Sequence, residues 1–283
     1  MLITNIKLDG KILLKNIYYI KNINIQSWKL IIFESRLNPQ MKPNQKLDLP
    51  KKAQVQDMFD SISIEYDFLN RLMTFGNDVK WRKKIYTIAK SYNPKNILDI
   101  ATGTADIALE MSKIEGSNII GLDISEKMLE VGRRKVSKKN LSDKITLISG
   151  DAENIDFKNE EFDLVTIGFG VRNFQDLEKG LKESHRVLNQ GGKLIVLETS
   201  VPENSIIKFF YFLFSKSFIP FMGSIFSKDK TAYQYLQKSA EKFPSGKKFV
   251  SVLKKCGFTN VMVKPQMLGA TSIYIANKKE QKL

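Results

Sequence analysis

The stretch from Asn96 to Met111, NILDIATGTADIALEM, decides the fold. Its first residues form a short apolar run typical of a strand, a polar turn with Gly103 comes next, and the apolar spacing after the turn suits a helix. This arrangement can cradle a ligand, because a helix N-terminus presents unpaired N–H groups and a glycine lets the ligand approach the backbone. The turn lacks the G-x-G-x-x-G spacing of dinucleotide-binding proteins, so a pyrophosphate ligand is not specifically predicted.

Strand-like and helical patterns alternate along the rest of the chain, which predicts an α/β fold with a mainly parallel sheet and helices on both faces. In such sheets ligands bind at the carboxyl ends of the strands, near the switch point. The predicted strands are 96–100, 118–123, 145–149, 162–168 and 193–198, with a terminal pair at 260–263 and 272–276. The predicted helices, after a helical segment at 54–90, are 106–113, 125–138, 177–188, 230–242 and 247–255.

Composition narrows the class of protein. The chain has 283 residues, of which 42% are hydrophobic, so it can bury a sizeable core. Its formal net charge of +15 is compatible with an anionic partner, but the lysines are spread over the whole chain. Cys256 and His185 are the single cysteine and histidine, which excludes an internal disulfide, makes a His or Cys metal site unexpected and fits a reducing cytoplasm. We interpret both as structural residues.

The chain divides into a leader and one domain. Residues 1–45 differ in texture from the rest of the chain and are predicted to be a poorly ordered leader, with translation starting naturally at Met41. Residues 46–283 form the predicted domain, with an N-terminal helical lid at about 51–92 and an apolar insertion at about 203–243. The N-terminus has lysines throughout and no clean apolar segment, so neither a signal peptide nor a spanning helix is predicted there.

Acidic residues lie at or just after the ends of the first three predicted strands. Asp123 ends the second strand, where a carboxylate can accept hydrogen bonds from both hydroxyls of a ribose. Asp99 lies near the end of the first strand, and Asp151 comes after the third, where it can approach an adenine amino group while Ala152 packs near the ring. Three carboxylates would repel a phosphate and attract a cation, so S-adenosylmethionine (SAM) fits better than NAD. For any single acid, the alternative is a helix N-cap.

From about Gln54 to Asn277 the sequence resembles the ubiquinone and menaquinone biosynthesis C-methyltransferases of the UbiE/MenG type, which are class I SAM-dependent methyltransferases with a Rossmann-like, seven-stranded sheet. Three motifs carry the resemblance: MFDSISIEYDFLNRLMTFGNDVKWRK, FDLVTIGFGVRNFQD and HRVLNQGGKLIVLETSVP. The second is the most specific, and the third is shared by many methyltransferases.

The resemblance implies a set of cofactor-binding residues. It places Thr104, Asp123, Asp151 and Ala152 against SAM, and Gly168 where a serine usually lies near the methionine portion. With Asp99 and Gly103, these are the expected cofactor-binding residues. The sequence departs from the family at Ala105, where glycine is usual, and at Gly168, and both changes are expected to weaken cofactor affinity modestly.

The resemblance also implies a catalytic group. Arg172 and Asn173 come after the fourth strand, and Tyr66 lies in the lid. Arg172 is a poor base because a guanidinium pKa exceeds about 12, so we expect it to stabilise a developing phenolate while another group takes the proton. A surface salt bridge is the alternative for Arg172, and anchoring in the core is the alternative for Tyr66.

The substrate that the resemblance implies is a prenylated quinol, with demethylmenaquinol the first expectation and a 2-polyprenyl benzoquinol, an RNA or a phospholipid the alternatives. The apolar stretch Ile206 to Phe226 is expected to receive the tail and to touch the membrane surface of an otherwise cytoplasmic protein. Lys208, Lys216 and Pro220 argue against a spanning helix there. Core packing or a homodimer contact remain open. A nucleic-acid partner is not expected, since no Asn-Pro-Pro-Tyr motif comes after the fourth strand.

Overall fold

The computed structural model describes residues 41–45, 47–226 and 229–280. All of them belong to one compact unit, Met41–Leu283. Residues 1–40, which form most of the predicted leader, lie outside the described residues. The leader and the start at Met41 therefore stay predictions.

One seven-stranded sheet forms the centre of the domain. Its strands are β1 Asn96–Ile100, β2 Asn118–Asp123, β3 Ile145–Ser149, β4 Phe162–Gly168, β5 Leu188–Thr199, β6 Thr259–Gln266 and β7 Thr271–Asn277. Their order is β3-β2-β1-β4-β5-β7-β6, with β1 to β5 parallel and β7 antiparallel to both neighbours. The direction of winding reverses between β1 and β4, which is the switch point at which such sheets bind ligands. The predicted α/β fold is confirmed.

The helices flank the sheet on both faces and cover its carboxyl edge. In the described residues they are α1 Lys51–Ile62, α2 Tyr66–Met73, α3 Asn77–Lys90, α4 Asp106–Met111, α5 Glu126–Lys138, α6 Leu177–Val187, α7 Ser205–Phe226, α8 Lys230–Lys242 and α9 Lys247–Lys255. Ser125 accepts a hydrogen bond from the backbone N–H of Met128 and so caps α5, in agreement with the start that the sequence predicts.

Apolar clusters explain how the layers hold together. One cluster fills the face of the sheet covered by α6 and α9, and a second fills the opposite face beneath α3, α4 and α5. A third joins α1 and α2 to α8, with Ile62 and Leu69 fully buried. Helices α1 to α3 occupy the predicted lid, and α7 and α8 the predicted insertion. Their roles as lid and substrate-side insertion stay predictions.

Helix α7 corrects one sequence-based expectation. The sequence predicts that Pro220 breaks a helix in the apolar stretch, but α7 continues from Ser205 to Phe226. A proline removes one N–H donor and can be accommodated by a kink when the adjoining turns are supported. Here α7 packs along α8 and α2. Among the described residues, no helix is long and apolar enough to cross a membrane.

Candidate active site

The loop after β1 has a strained backbone. Ala101, Gly103 and Ala105 have positive φ angles of 52°, 56° and 66°, a region that L-residues with side chains seldom adopt. The side chain of Ala105 is fully buried and packs towards Gly132 on α5. Its methyl group therefore lies in the core. This position gives no support to the expectation that the methyl group weakens cofactor affinity.

Asp123 holds this loop in place. One of its oxygens accepts the backbone N–H of Gly103 at 2.8 Å, and the other accepts that of Ser125 at 2.9 Å. Burial raises the pKa of Asp123 to about 6, although these N–H groups favour the charged form. Each carboxylate oxygen retains a lone pair, so Asp123 can still accept hydrogen bonds from two ribose hydroxyls.

Asp99 and Thr104 do not line the cavity that lies over the carboxyl ends of β1 to β4. Asp99 is buried and accepts hydrogen bonds of 2.6 Å from both Thr102 and Thr166, which ties β1 to β4 and to its own loop. Burial raises the pKa of Asp99 to about 6. Thr104 donates to Oδ1 of Asp67 on α2 at 2.5 Å. Neither residue lines the cavity, so the structure does not bring them to the other predicted cofactor residues.

At the end of β3, Asp151 has a cationic partner that the sequence did not predict. Nζ of Lys52, on α1, lies 2.5 Å from Oδ2 of Asp151 and 3.5 Å from Oε2 of Glu153. All three residues and Ala152 line the cavity. The expected set of three carboxylates around the pocket is therefore wrong in one member, because Asp99 does not line the cavity and Glu153 does, and Lys52 neutralises part of their charge.

The first cavity, which we call the cofactor cavity, lies over the carboxyl ends of β1 to β4. It encloses about 670 Å³ including its open mouth, within the usual range for small-molecule sites. The loops after the strands form its floor, and α1 and α2 cover it. The predicted site residues in its wall are Tyr66, Gly103, Asp123, Asp151, Ala152, Gly168 and Asn173.

A second, larger cavity lies beside the first, and we call it the acceptor cavity. Its wall is largely apolar and is formed by α2, α7, α8 and the segment between β6 and β7. It includes Trp81, Phe210, Phe214 and Leu236 among its apolar residues. Tyr211 also lines it, and burial raises the pKa of that phenol to about 12.

Tyr66 and Phe169 line both cavities and mark their junction. The ring centroid of Phe169 lies 5.9 Å from that of Trp81, in the wall of the acceptor cavity. Burial raises the pKa of Tyr66, so its hydroxyl stays protonated at neutral pH and can donate a hydrogen bond. A group held in the first cavity therefore meets a group held in the second at these two rings.

Arg172 and Asn173 are placed on opposite sides of this junction. Asn173 lines the cofactor cavity and Arg172 lines the acceptor cavity. Nε of Arg172 and Oδ1 of Asn173 are buried and make no hydrogen bond among the described residues. Unpartnered buried polar atoms are costly, so a ligand that bonds either atom would remove that cost.

The guanidinium of Arg172 is held by a carboxylate. Its Nη1 donates to Oε1 of Glu198 and to the carbonyl of Phe169, both at 2.7 Å. Glu198 lies fully buried beneath it. Because the pair is neutral overall, Arg172 can act on a ligand through a directed N–H group more than through net charge. The sequence left a surface salt bridge open as an alternative for Arg172. The ion pair with Glu198 is not at the surface, because the two side chains are only 9% and 0% exposed.

The cofactor cavity fits an adenosine-type methyl donor. Asp123 offers acceptors for a ribose, Ala152 an apolar surface, and Oδ1 of Asn173 an unpartnered acceptor for a cationic group. In the described residues no group of three His, Cys, Asp or Glu side chains could hold a metal. His185 packs edge-on against Phe258 at 5.1 Å, and Cys256 is buried, so both occupy structural positions.

Sequence reasoning missed three residues at the site. Phe169 directly follows β4, and Glu198 is an acid near the carboxyl end of β5, so the strand-end rule could have found both. Lys52 is separated from Asp151 by 99 positions, and no local signal links the two.

The seven-stranded sheet with its reversed β7, and an adenosine-type cavity at the switch point, define a class I methyltransferase fold. The chain belongs to the ubiE/COQ5 methyltransferase family, whose model matches residues 47–278. It is therefore a SAM-dependent methyltransferase, and the corresponding sequence-based expectations are confirmed.

Curated relatives share most of the chain. It is 40% identical over 232 residues to a demethylmenaquinone methyltransferase of Bacteroides fragilis, covering 82% of this chain and 95% of the relative. It is 38% identical to a demethylmenaquinone methyltransferase of Chlorobaculum tepidum, covering 80% and 93%. It is 39% identical to a protein of Geotalea daltonii named ubiquinone/menaquinone biosynthesis C-methyltransferase UbiE, covering 81% and 97%.

Solved structures share the fold. A SAM-dependent methyltransferase from Aquifex aeolicus superposes with a TM-score of 0.51 at 16% identity, covering 82% of this chain and 100% of that one. A Haemonchus contortus phosphoethanolamine N-methyltransferase 2 in complex with SAM superposes with a TM-score of 0.56 at 18% identity, covering 80% and 60%.

Proposed function

We propose that the protein transfers a methyl group from SAM to a ring carbon of a prenylated quinol, converting demethylmenaquinol to menaquinol. The observation that carries this proposal is the junction at Tyr66 and Phe169, where the cofactor cavity, with carboxylates in its wall, meets a larger and mostly apolar cavity. An apolar cavity suits an acceptor with an isoprenoid tail, because burying such a tail is favourable.

The residues at the junction have separable roles. SAM, when bound, supplies a methyl group already activated on a sulfonium. Asp123 and Asn173 hold the donor from the cofactor cavity, and Tyr66 and Arg172 face the acceptor. Loss of the phenolic proton to water makes the neighbouring ring carbon nucleophilic, and a directed N–H from Arg172 stabilises the resulting phenolate. The ring carbon would gain the methyl group as its bond to sulfur breaks, leaving the neutral thioether, and would then lose its own hydrogen to water as a proton. Orientation across the junction supplies the rest of the rate enhancement.

The names of the relatives support a quinol acceptor. The Bacteroides and Chlorobaculum proteins are named for demethylmenaquinone, and the Geotalea protein for both ubiquinone and menaquinone biosynthesis. We therefore place demethylmenaquinol first and a 2-polyprenyl benzoquinol second. No observation in the described residues favours an RNA or phospholipid acceptor over these quinols, and a homodimer stays a prediction.

We further propose that α7 brings the acceptor cavity to a membrane surface. Ile206, Phe209, Phe210 and Leu213 are 56–70% exposed, and their spacing places them on one face of the helix. Phe210 also lines the acceptor cavity, so this face adjoins its mouth. Lys208 and Lys216 are exposed on the same helix and suit anionic headgroups.

Sedimentation with vesicles tests the membrane contact. The wild-type protein should sediment with vesicles containing anionic lipid, and the double substitution Phe209→Asp/Leu213→Asp should abolish this while leaving SAM binding intact. Equal sedimentation of both proteins would contradict the proposal.

Quinone profiling of a strain that lacks the gene tests the acceptor in the cell. The strain should accumulate demethylmenaquinone, and expression of the wild-type chain should restore menaquinone, whereas an Asp123→Ala chain should not. Accumulation of a benzoquinol precursor would favour the second acceptor. An unchanged quinone profile would contradict both.

A further inference from the structure

Lys135 joins three elements around the cofactor cavity. Its Nζ lies 2.8 Å from Oδ2 of Asp67 on α2 and 3.1 Å from Oγ1 of Thr104 in the loop after β1. It also pairs with Asp106 at the start of α4. Lys135 itself is on α5, so a single ammonium group links the lid, the cofactor loop and two helices of the sheet layer.

Asp67, the lid residue that Lys135 contacts, is next to the junction of the two cavities. Asp67 directly follows Tyr66 on α2, and Tyr66 lines both cavities. Asp67 receives two bonds, because Thr104 donates to its other oxygen at 2.5 Å. A residue held on both carboxylate oxygens has little freedom to move, and its neighbour on the same helical turn shares that restraint.

Further ion pairs extend the contact along the lid. Arg82 on α3 pairs with Asp106 at 3.2 Å and with Asp78 at 2.8 Å, and Arg71 on α2 pairs with Asp78 at 3.0 Å. The chain of alternating charges thus returns to α2. The side chains of Lys135, Asp67 and Asp106 are only 25%, 37% and 29% exposed, so salt screens these pairs partly.

We propose that Lys135 is a positioning residue that holds the lid over the cofactor loop and so fixes Tyr66 at the junction. This inference rests on the proposed function of the cofactor cavity. It also gives Thr104 a role in holding the lid through Asp67, in place of the direct cofactor contact that the sequence predicted.

A set of three variants tests this role. Lys135→Met removes the charge and keeps most of the side-chain volume. Lys135→Arg keeps the charge and should retain most of the wild-type SAM affinity and lid protection. Lys138→Met is the matched control, because Lys138 is an exposed lysine on the same helix and makes no ion pair among the described residues.

The readouts are SAM affinity by calorimetry and hydrogen exchange of the cofactor-free protein over residues 51–73. Lys135→Met should weaken SAM binding about five- to tenfold and speed exchange in the lid, because several charge-assisted bonds are lost. The wild-type affinity should fall as salt rises from about 50 to 300 mM, and the affinity of Lys135→Met should fall less. Lys138→Met should behave like the wild type.

Two results would overturn the inference. If Lys135→Met bound SAM as tightly as the wild type and its lid exchanged at the wild-type rate, the ion pairs would not hold the lid. If the lid of Lys135→Met exchanged faster but SAM affinity were unchanged, the position of the lid would have no effect on the cofactor site. A wild-type protein that binds no SAM would instead contradict the proposed function.

Discussion

Ile107 occupies the space that a side chain at Gly168 would need. A Cβ atom built on Gly168 would lie 2.3 Å from Cδ1 of Ile107, and Gly168 lines the cofactor cavity. The serine that the sequence resemblance implies at this position would therefore meet the end of the Ile107 side chain on α4.

Gly168→Ser should therefore destabilise the fold by about 1 kcal/mol, because the end of the Ile107 side chain must shift, and it should not improve SAM affinity. The double variant Gly168→Ser/Ile107→Val removes Cδ1 and should recover most of the stability. Chemical denaturation and calorimetry measure both effects. A single variant as stable as the wild type would contradict the steric account.

Arg172→Lys should lower kcat about 100-fold, because lysine lacks the planar guanidinium, whose Nη1 is held by Glu198 and whose Nε–H has no partner among the described residues. SAM affinity should change little, since Arg172 does not line the cofactor cavity. Single-turnover kinetics and calorimetry separate the two. Arg186→Lys is the control: Arg186 also pairs with a glutamate but lies away from both cavities. A kcat within about twofold of the wild type would contradict the role of Arg172.

Asp123 should make SAM binding depend on pH. Its pKa is raised to about 6 in the cofactor-free protein, and only the ionised carboxylate can accept hydrogen bonds at both oxygens. SAM affinity should therefore fall about tenfold as pH drops from 7 to 5. Calorimetry across this range, with Asp123→Asn as control, measures the effect. Equal pH dependence in both proteins would contradict it.

The same raised pKa makes the stability of the fold change with pH in the opposite direction to SAM affinity. A carboxyl with a raised folded pKa binds more protons folded than unfolded, so its contribution is fully present below about pH 4 and is lost as pH rises to about 6. The stability of the cofactor-free wild type, measured relative to Asp123→Asn, should decline across that window. A relative stability that rises with pH would contradict the assignment.

Charges at Phe210 or Phe214 should impair long-tailed substrates selectively. Both line the acceptor cavity, and losing the contact of one ring with the tail corresponds to about 10- to 100-fold in affinity for the tail. Phe210→Asp and Phe214→Asp should raise KM for a long-tailed quinol and leave a tail-less analogue almost unaffected. Met262→Asp, at an exposed site on β6, is the control. Equal losses on both substrates would contradict this assignment.

Local sequence patterns predicted most of the fold. The bounds of β1 to β4 agree with the apolar runs between polar and glycine-rich breaks, because buried parallel strands read as short continuous apolar segments. The strand-end rule also placed Asp123 and Asp151 in the cavity. It misplaced Asp99, which lies one residue before the end of its strand, where Thr102 and Thr166 enclose its carboxylate.

Long-range pairs were beyond local patterns. The contacts of Lys52 with Asp151 and of Lys135 with Asp67 join residues far apart in the chain, and their charges gave no signal among many spread lysines. The buried partner of Arg172 was missed for the same reason, since Glu198 lies 26 residues away. The net charge of the cofactor cavity therefore could not be predicted from the sequence and had to be read from the structure.

Methylation by the purified protein tests the central claim most directly. Reduced demethylmenaquinone and SAM labelled on the methyl group are incubated with the wild-type chain, and the quinone is analysed by mass spectrometry after reoxidation. We predict one labelled methyl on a carbon of the naphthoquinone ring and none with Arg172→Lys at matched short times. Label on oxygen, or no transfer by a protein that binds SAM, would contradict the proposed reaction.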